Sequence, residues 1–371
     1  MSVRVRFAPS PTGSLHLGSA LTALLNRLFA SRHAGRLLLR IDDTDTDRSR
    51  PELVGAIQHD LRWLGIGWDD GPVRQSERFE RYREAAGRTS GVEIRDGACW
   101  LRAPGMGPFV ILRADGRATY NWATAVDDVA EGITHVIRGN DHLSNMPIQQ
   151  AAIRAMGADA PRYLHHAVIT GEAGKLSKRE GAASIADLRD AGYPPEAVVN
   201  YLGLIGSSGP GDVLSMDDLV ERFDENRLAR GTLKLDPARL RALATRHLAA
   251  MPTDDLVSRV LERCPPGTPE AAVRALAPAL RGVHTVAEAA ELVEVVLVAP
   301  SPAPLPKLAR IRARYPDRLD EEQARALVDE LRRADIPLRD ARRALTGRDR
   351  GPELWAVFAA LTRDEAIRRA A

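Results

Sequence analysis

Four lysines stand among the 371 residues of this sequence, and two of them lie three positions apart in a glycine-containing stretch. They are Lys175 and Lys178, followed by Arg179, in a chain whose 52 basic residues are otherwise almost all arginine. Lysine is a compact point charge on a flexible stem, so lysines kept together indicate a loop that neutralises phosphate oxygens. The alternative is a chance surface cluster. Because Leu176 follows Gly174-Lys175, the stretch is not a Walker phosphate loop, which needs Ser or Thr there.

A second candidate anion site lies near the start of the chain, after a proline-rich turn. His16, Gly18 and Ser19 stand where a helix is expected to begin. The free N–H groups and the dipole of a helix N-terminus attract anions. Gly18 leaves room for a phosphate or a flat ring, and His16 can donate to a phosphate oxygen. Taken alone, the pattern is weak, since a histidine near a helix start more often has a structural role.

A third cluster consists of charged and polar residues near the expected ends of strands, namely Arg6, Asp42, Tyr120, Arg138 and Asp141. In open parallel sheets, ligands bind beyond the carboxyl ends of the strands. Arginines suit a carboxylate and Asp42 suits an ammonium group, so the cluster predicts a site for a small zwitterion. Considered singly, each residue could instead form an ion pair that stabilises the fold.

The scaffold that positions these residues is predicted from hydrophobic periodicity. Strands and helices alternate with short links, which favours a Rossmann-like, doubly wound parallel α/β sheet. The predicted elements are strand 3–7, helix 15–34, strand 36–41, a helix from Pro51, and strands near 109–113, 133–138 and 167–170 that continue the parallel sheet. Beyond about residue 240 the pattern is helical with almost no strand signal, which predicts an all-helical C-terminal region, 241–371, with a proline-rich hinge at 299–306.

Composition narrows the class of protein. The chain is 44% hydrophobic and 27% charged, which is ordinary for a globular protein, and its net charge of +2 gives no bulk field for nucleic acid or membrane. Two cysteines, Cys99 and Cys264, cannot form a disulfide framework. The sequence shows no signal peptide and no membrane-spanning run, so we expect a cytoplasmic protein with no membrane partner.

Taken together, these segments resemble the glutamyl-tRNA synthetase family of class I aminoacyl-tRNA synthetases. Residues 7–19 resemble the HIGH signature of that class in its glutamyl form, and residues 175–179 resemble its KMSKS loop. Further segments resemble the same family in the same order, at 40–45, 119–121, 134–139, 141–145 and 344–354. The resemblance therefore extends over nearly the whole chain.

The resemblance implies an enzyme that uses ATP and Mg²⁺ to convert glutamate into an aminoacyl-adenylate and then transfers the acyl group to tRNA. It implies ATP binding by His16, Gly18, Ser19, Lys175, Ser177 and Lys178, with His16, Lys175 and Lys178 as the catalytic residues. It implies amino-acid binding by Arg6, Ala8, Ser10, Asp42, Tyr120 and Arg138. Residues 1–240 would be the catalytic domain with a stem-contact-like helical segment, residues 241–371 an anticodon-binding-like region, and the protein a monomer.

Three features depart from the family pattern. Asp42 replaces a glutamate, which shortens the reach of the carboxylate by about 1.5 Å, and Asn140 also replaces a glutamate. The segment near 85–108 is far shorter than the acceptor-binding insert of the family, so we expect weakened tRNA binding and, with Cys99 alone there, no zinc. Two other hypotheses stay open: a paralog that transfers glutamate or a related amino acid to a small amine, a carrier or an unusual RNA, and a non-enzymatic ATP- or RNA-binding protein.

Overall fold

The computed structural model describes residues 2–45, 49–170, 184–206, 211–229, 231–298 and 304–371. The chain divides into two units. The first comprises Met1–Leu188 and Val198–Pro237, and the second comprises Arg189–Ala197 and Ala238–Ala371. In the described part of the chain, no helix is both long and apolar enough to cross a membrane.

The first unit begins with a parallel sheet. Its opening elements are β1 (Arg4–Phe7), α1 (Leu17–Arg32), β2 (Arg36–Ile41), α2 (Pro51–Trp63) and β3 (Asp70–Arg74). β2 lies between β1 and β3 and runs parallel to both. Five of the six residues of β2 are buried, as expected for a strand whose two faces are both covered. The predicted strands 3–7 and 36–41 and the helix from Pro51 are confirmed.

A second group of strands contradicts one prediction. After α3 (Phe79–Arg88), the strands β4 (Val92–Arg95), β5 (Ala98–Leu101) and β6 (Phe109–Leu112) form a separate antiparallel sheet. The strand predicted near 109–113 therefore exists, but its assignment to the parallel sheet was wrong. Asp96 and Gly97 both have positive φ in the β4–β5 turn, and an Asp-Gly pair between two strands is a hairpin signal that points to antiparallel pairing.

The parallel arrangement resumes further along the chain. The elements are α4 (Tyr120–Ala130), β7 (His135–Gly139), α5 (Met146–Ala155) and β8 (Arg162–His166). β7 pairs with β8 in parallel, and the Thr134 N–H donates to the Arg4 carbonyl at 2.9 Å, which places β7 beside β1. The spatial order is thus β3-β2-β1-β7-β8, with the crossover between β1 and β7 that characterises doubly wound sheets. The predicted fold class is confirmed.

A short strand pair and small helices follow β8, namely β9 (Val168–Thr170), α6 (Ile185–Asp190), α7 (Pro195–Gly203), α8 (Met216–Arg222) and β10 (Thr232–Lys234). β9 pairs in parallel with β10, a strand that the sequence pattern did not reveal.

The second unit contains only helices among its described residues. They are α9 (Pro237–Ala250), α10 (Thr253–Leu261), α11 (Glu270–Leu280), α12 (Val286–Leu297), α13 (Pro306–Arg312), α14 (Glu321–Arg333), α15 (Leu338–Thr346), α16 (Leu354–Ala360) and α17 (Arg363–Ala370). Their apolar faces form one continuous core. The predicted helical character is confirmed, while residues 299–303 of the predicted hinge lie outside the described residues.

Candidate active site

A cavity of about 440 Å³ opens at the carboxyl ends of β1 and β7, beside the N-terminus of α1. Nine residues predicted from the sequence line it: Arg6, Ala8, Ser10, His16, Gly18, Ser19, Tyr120, Arg138 and Asp141. Residues more than 100 positions apart are brought together because the parallel strands that carry them end at the same edge of the sheet.

Arg138 is the most tightly held cation in this cavity. Its Nη1 donates to Gln149 Oε1 at 2.8 Å, its Nε lies 3.3 Å from His165 Nε2, and its guanidinium lies 5.1 Å from the centre of the Tyr163 ring. Nη2 is buried and has no hydrogen-bond partner among the described residues. Burial and the adjacent Arg6 guanidinium lower the pKa of Arg138. Two like charges with an unused donor make this end of the cavity a site for an anion such as a carboxylate.

The two partners of Arg138, Gln149 and His165, are themselves fixed by their surroundings. Gln149 is oriented by its Nε2, which donates to Asn121 Oδ1 at 3.1 Å. Burial, followed by the charge of Arg138, lowers the pKa of His165 to about 4. His165 is therefore neutral at physiological pH, and its Nε2 can accept from Arg138. These contacts hold the plane of the guanidinium fork in place before a ligand arrives.

Arg6 and Arg40 share one buried carboxylate. Asp128 Oδ1 accepts from Arg40 Nη1 at 2.7 Å and from Arg6 Nε at 3.3 Å, and all three side chains are almost completely buried. Burial by itself would raise the pKa of Asp128, but the two guanidinium groups together lower it. Asp128 thus orients Arg6 towards the cavity, a role that sequence reasoning did not assign to it.

Asp42 lies next to the cavity without lining it. Its Oδ1 accepts from Arg40 Nε at 2.8 Å, and the residue is 5% exposed. Oδ2 is buried and has no partner among the described residues. Burial raises the pKa of Asp42 to about 6, although Arg40 opposes the shift. The structure therefore does not place Asp42 in the cavity wall as predicted, although the charge of Asp42 acts on Tyr120, which lines the cavity.

The other end of the cavity is formed by the first turn of α1. His16 is the N-cap residue and makes no side-chain cap hydrogen bond, and the first turn contains no acidic residue. A Cβ atom built on Gly18 would meet no atom within 4 Å. The helix therefore presents unneutralised N–H groups, with open space above Gly18, to whatever occupies this end of the cavity.

The lysine pair predicted to contact phosphate lies outside the described residues, since Lys175, Ser177 and Lys178 fall within residues 171–183. The described residues that flank this segment are close to the α1 end of the cavity. Ile169 lines the cavity, and Ser184 forms a β-bridge with His16.

Several residues that line the cavity were not predicted from the sequence. Thr22, His142 and His166 line the cavity together with the predicted set. Thr22 lies one helical turn after Gly18, and His166 is the last residue of β8. A polar residue at the carboxyl end of a parallel strand was the available signal for His166. Asn140 donates from Nδ2 to the Gly231 carbonyl at 2.7 Å, a bond that the glutamate of the family pattern could not donate.

Among the described residues, no group of three or more His, Cys, Asp or Glu could hold a metal ion.

A doubly wound sheet that presents two buried arginines and an open helix N-terminus at one edge has the features of a site for a carboxylate and a nucleotide. Comparison with known proteins places it more narrowly. Residues 2–89 and 92–242 match the family model described as tRNA synthetases class I (E and Q), catalytic domain. The chain belongs to this family.

Two relatives match over nearly their whole length. Glutamate–tRNA ligase 1 of Rubrobacter xylanophilus is 42% identical, covering 99% of this chain and 97% of the relative. Glutamate–tRNA ligase of Synechococcus sp. strain JA-3-3Ab is 32% identical, covering 98% and 97%. The fold matches that of a glutamate tRNA ligase from Elizabethkingia meningosepticum, solved with its amino acid, at a TM-score of 0.83 and 23% identity, covering 100% of this chain and 98% of that one.

The same comparisons bear on the short connective segment. The Rubrobacter alignment extends over 422 positions, at least 422 − 371 = 51 more than this chain has residues. This chain therefore lacks material that the relative has. The family match is interrupted at residues 90–91, inside the segment 85–108 where the sequence predicted the shortened insert. In the structure this segment contains the β4–β5 hairpin.

Proposed function

We propose that this chain activates glutamate with ATP, forming glutamyl-adenylate and pyrophosphate, and then transfers the glutamyl group to tRNA. The observation that carries the proposal is the unpartnered, buried Nη2 of Arg138 in a cavity whose other end is the open N-terminus of α1. The cavity thus offers one position for a carboxylate and another for phosphates. The relatives that match over 97% of their length are named glutamate–tRNA ligases, which supports this choice of substrates.

In the first step, a carboxylate oxygen of glutamate attacks the α-phosphorus of ATP, a new O–P bond forms, and pyrophosphate leaves. No nucleophilic side chain is needed, so catalysis consists of positioning and of stabilising the charge that develops on phosphate. Arg6 and Arg138 would bind carboxylate oxygens, and the free Oδ2 of Asp42 would accept from the ammonium group. Ala8, Ser10 and Tyr120 would complete the amino-acid pocket.

The nucleotide would lie at the α1 end. His16, Gly18 and Ser19 would contact ATP, and Lys175, Ser177 and Lys178 would contact the phosphates and the departing pyrophosphate. In the second step, a ribose hydroxyl of the tRNA end attacks the acyl carbon, and AMP leaves. Mg²⁺ would enter with the phosphates of ATP, which is usual for this ion. We further infer a cytoplasmic monomer.

tRNA is the acceptor that the relatives favour, and no observation specifically favours a small amine or a carrier. The shortened segment 85–108 removes part of the surface that the family uses for the acceptor end, so we propose weaker tRNA binding than in relatives with a full insert. We expect the affinity for tRNA to be lower, with tRNA still the acceptor.

The test is ATP–pyrophosphate exchange with each of the twenty amino acids, with and without bulk tRNA, followed by acylation of tRNA with labelled glutamate. We expect exchange with glutamate alone among the amino acids, and labelled tRNA. Exchange with glutamate but no labelled tRNA would point to another acceptor. Absence of exchange under every condition would contradict the proposed enzyme.

A further inference from the structure

His166 sits at the nucleotide end of the cavity in an unusual hydrogen-bond arrangement. It is 4% exposed and lines the cavity with Gly18 and Thr22. Its Nε2 lies 2.9 Å from Thr22 Oγ1, and its Nδ1 lies 2.9 Å from the Ala167 carbonyl oxygen. Thr22 Oγ1 also lies 3.1 Å from the Gly18 carbonyl oxygen. A continuous chain of polar atoms therefore connects His166 to the first turn of α1.

The number of protons in this chain depends on the charge of His166. A carbonyl oxygen can only accept, so Nδ1 must carry a proton. The Thr22 hydroxyl has one proton, which can go to the Gly18 carbonyl or to an unprotonated Nε2, but not to both. When Nε2 is protonated, it donates to Thr22, and the hydroxyl donates to Gly18. All three contacts are hydrogen bonds at the same time only when His166 is a cation.

We propose that His166 takes up a proton from solvent when MgATP enters the cavity, and that the cation then positions Thr22 and the first turn of α1 against the phosphates. The inference rests on the proposed nucleotide-binding end of the cavity. His166 acts here as a positioning residue, because it reaches the Gly18 backbone through the Thr22 hydroxyl.

The charges around His166 allow a bound anion to change its protonation state. Burial lowers the pKa of His166 below its ordinary range, the bond to the Ala167 carbonyl and the charge of Asp141 oppose this shift, and His142 reinforces it. Charged or titratable side chains in the two cavities that His166 lines are Arg6, His16, Tyr120, Arg138, Asp141 and His142 on one side and Arg222, Asp224 and Arg227 on the other. The free protein is thus neutral at His166 near pH 7.5. The charge of a triphosphate favours the cation.

The sign of the pH dependence follows from linkage. If binding raises the pKa of His166, protons are taken up on binding, and affinity for MgATP rises as pH falls. The gain develops between the pKa of the bound form and the lower pKa of the free form. A rise of one unit in the pKa corresponds to about a tenfold gain in affinity across that window. We expect about a three- to tenfold gain between pH 8 and pH 6 that depends on His166.

The experiment measures the Kd of MgATP by calorimetry at several pH values, in two buffers of different ionisation enthalpy, for wild type and His166→Gln. Glutamine can donate to Thr22 but does not titrate, so the comparison removes the contribution of His166 and retains those of the ligand and of other groups. We expect wild type to take up additional protons and to gain affinity at low pH, and the variant to lack both differences.

Thr22 provides a second, independent variant. Thr22→Val removes the hydroxyl at nearly constant volume and should raise the KM for ATP more than it lowers kcat in pyrophosphate exchange. Thr22→Ser keeps a hydroxyl and should have a KM for ATP close to that of wild type. A matched control exists in the second unit, where Thr245 Oγ1 lies 2.7 Å from His284 Nδ1 and 3.2 Å from the Arg241 carbonyl. Thr245→Val breaks the same kind of pair and should leave the pH dependence of MgATP binding unchanged.

The outcomes separate this inference from the proposed function. MgATP binding with the same pH dependence in wild type and His166→Gln would overturn the inference and leave the proposed function intact. Failure of wild type to bind MgATP at any pH would contradict the proposed nucleotide site, and the inference with it. If His166→Gln does not fold, imidazole NMR of wild type gives the pKa of His166 directly, and a pKa that does not rise on addition of MgATP would overturn the inference.

Discussion

Replacing Gly18 by alanine is expected to stabilise the protein while weakening its affinity for ATP. Gly18 lies within α1, and a Cβ atom at this position meets no atom within 4 Å. Alanine is favoured over glycine in a helix by about 0.8–1.0 kcal/mol in mid-helix positions, so the gain in this first turn is up to about 1 kcal/mol. No steric cost offsets this gain, because the methyl group enters open space.

The same open space is where we propose that ATP approaches the backbone. A methyl group there separates the ligand from the N–H groups of the first turn and shortens none of the protein's own contacts. We expect the KM for ATP in pyrophosphate exchange to rise at least about tenfold, which corresponds to ~1.4 kcal/mol. The free energy of unfolding, measured in urea, should increase or stay the same in the same variant.

A matched control is available in α2. Gly55 is exposed, lies within a helix, and also has no atom within 4 Å of a built Cβ. Gly55→Ala should stabilise the protein by a similar amount and leave the KM for ATP unchanged. A Gly18→Ala variant with normal ATP kinetics would refute the reasoning, since it would show that ATP does not approach the helix at Gly18.

Three further outcomes are expected. Arg138→Lys keeps the charge but loses the fork held by its neighbours, so the KM for glutamate should rise at least about tenfold (~1.4 kcal/mol) with little change in the KM for ATP; equal effects on both substrates would contradict the assignment. Burial raises the pKa of Asp42 to about 6, so the KM for glutamate should rise as pH falls from 7 to 5 and this rise should be absent in Asp42→Asn. The same raised pKa means that the ionised form of Asp42 opposes folding, so its contribution to stability improves as pH falls through 6. Arg369 donates to three main-chain carbonyls at the ends of α12 and α15, and Arg369→Met should lower the free energy of unfolding of the second unit by about 2–5 kcal/mol, measured in urea, without changing the KM for ATP.

Sequence patterns were sufficient for the elements whose signal is local. The strand β2 was predicted at its observed bounds because a mostly apolar run, RLLLRI, lies between a glycine and an acidic turn. The helices of the second unit were equally predictable, because the spacing of apolar residues that indicates a helix depends only on residues close together in the sequence. Pro51 marks the start of α2 because its ring suits the first turn of a helix.

Strand direction was the feature that sequence patterns misassigned. The run at 109–113 is apolar in either kind of sheet, and nothing in its own residues records which strand it pairs with. β6 is antiparallel because its partner is β5, the second strand of the hairpin around Asp96 and Gly97. Strand β10 was missed because Leu233 is the one apolar residue among its three, so no apolar run marks it.

For the site, the sequence predicts the residue types and the chemistry that suits them: paired lysines for phosphate, arginines for a carboxylate, and a helix start with a glycine for a nucleotide. Tertiary structure alone decided how those residues are held. Arg138 is supported by His165 and Gln149, and Asp128 draws Arg6 and Arg40 together. Such contacts connect residues up to 122 positions apart in the chain, and burial sets their charge states, so neither can be read from local pattern. The parallel sheet makes both possible, because it ends several distant strands at one edge.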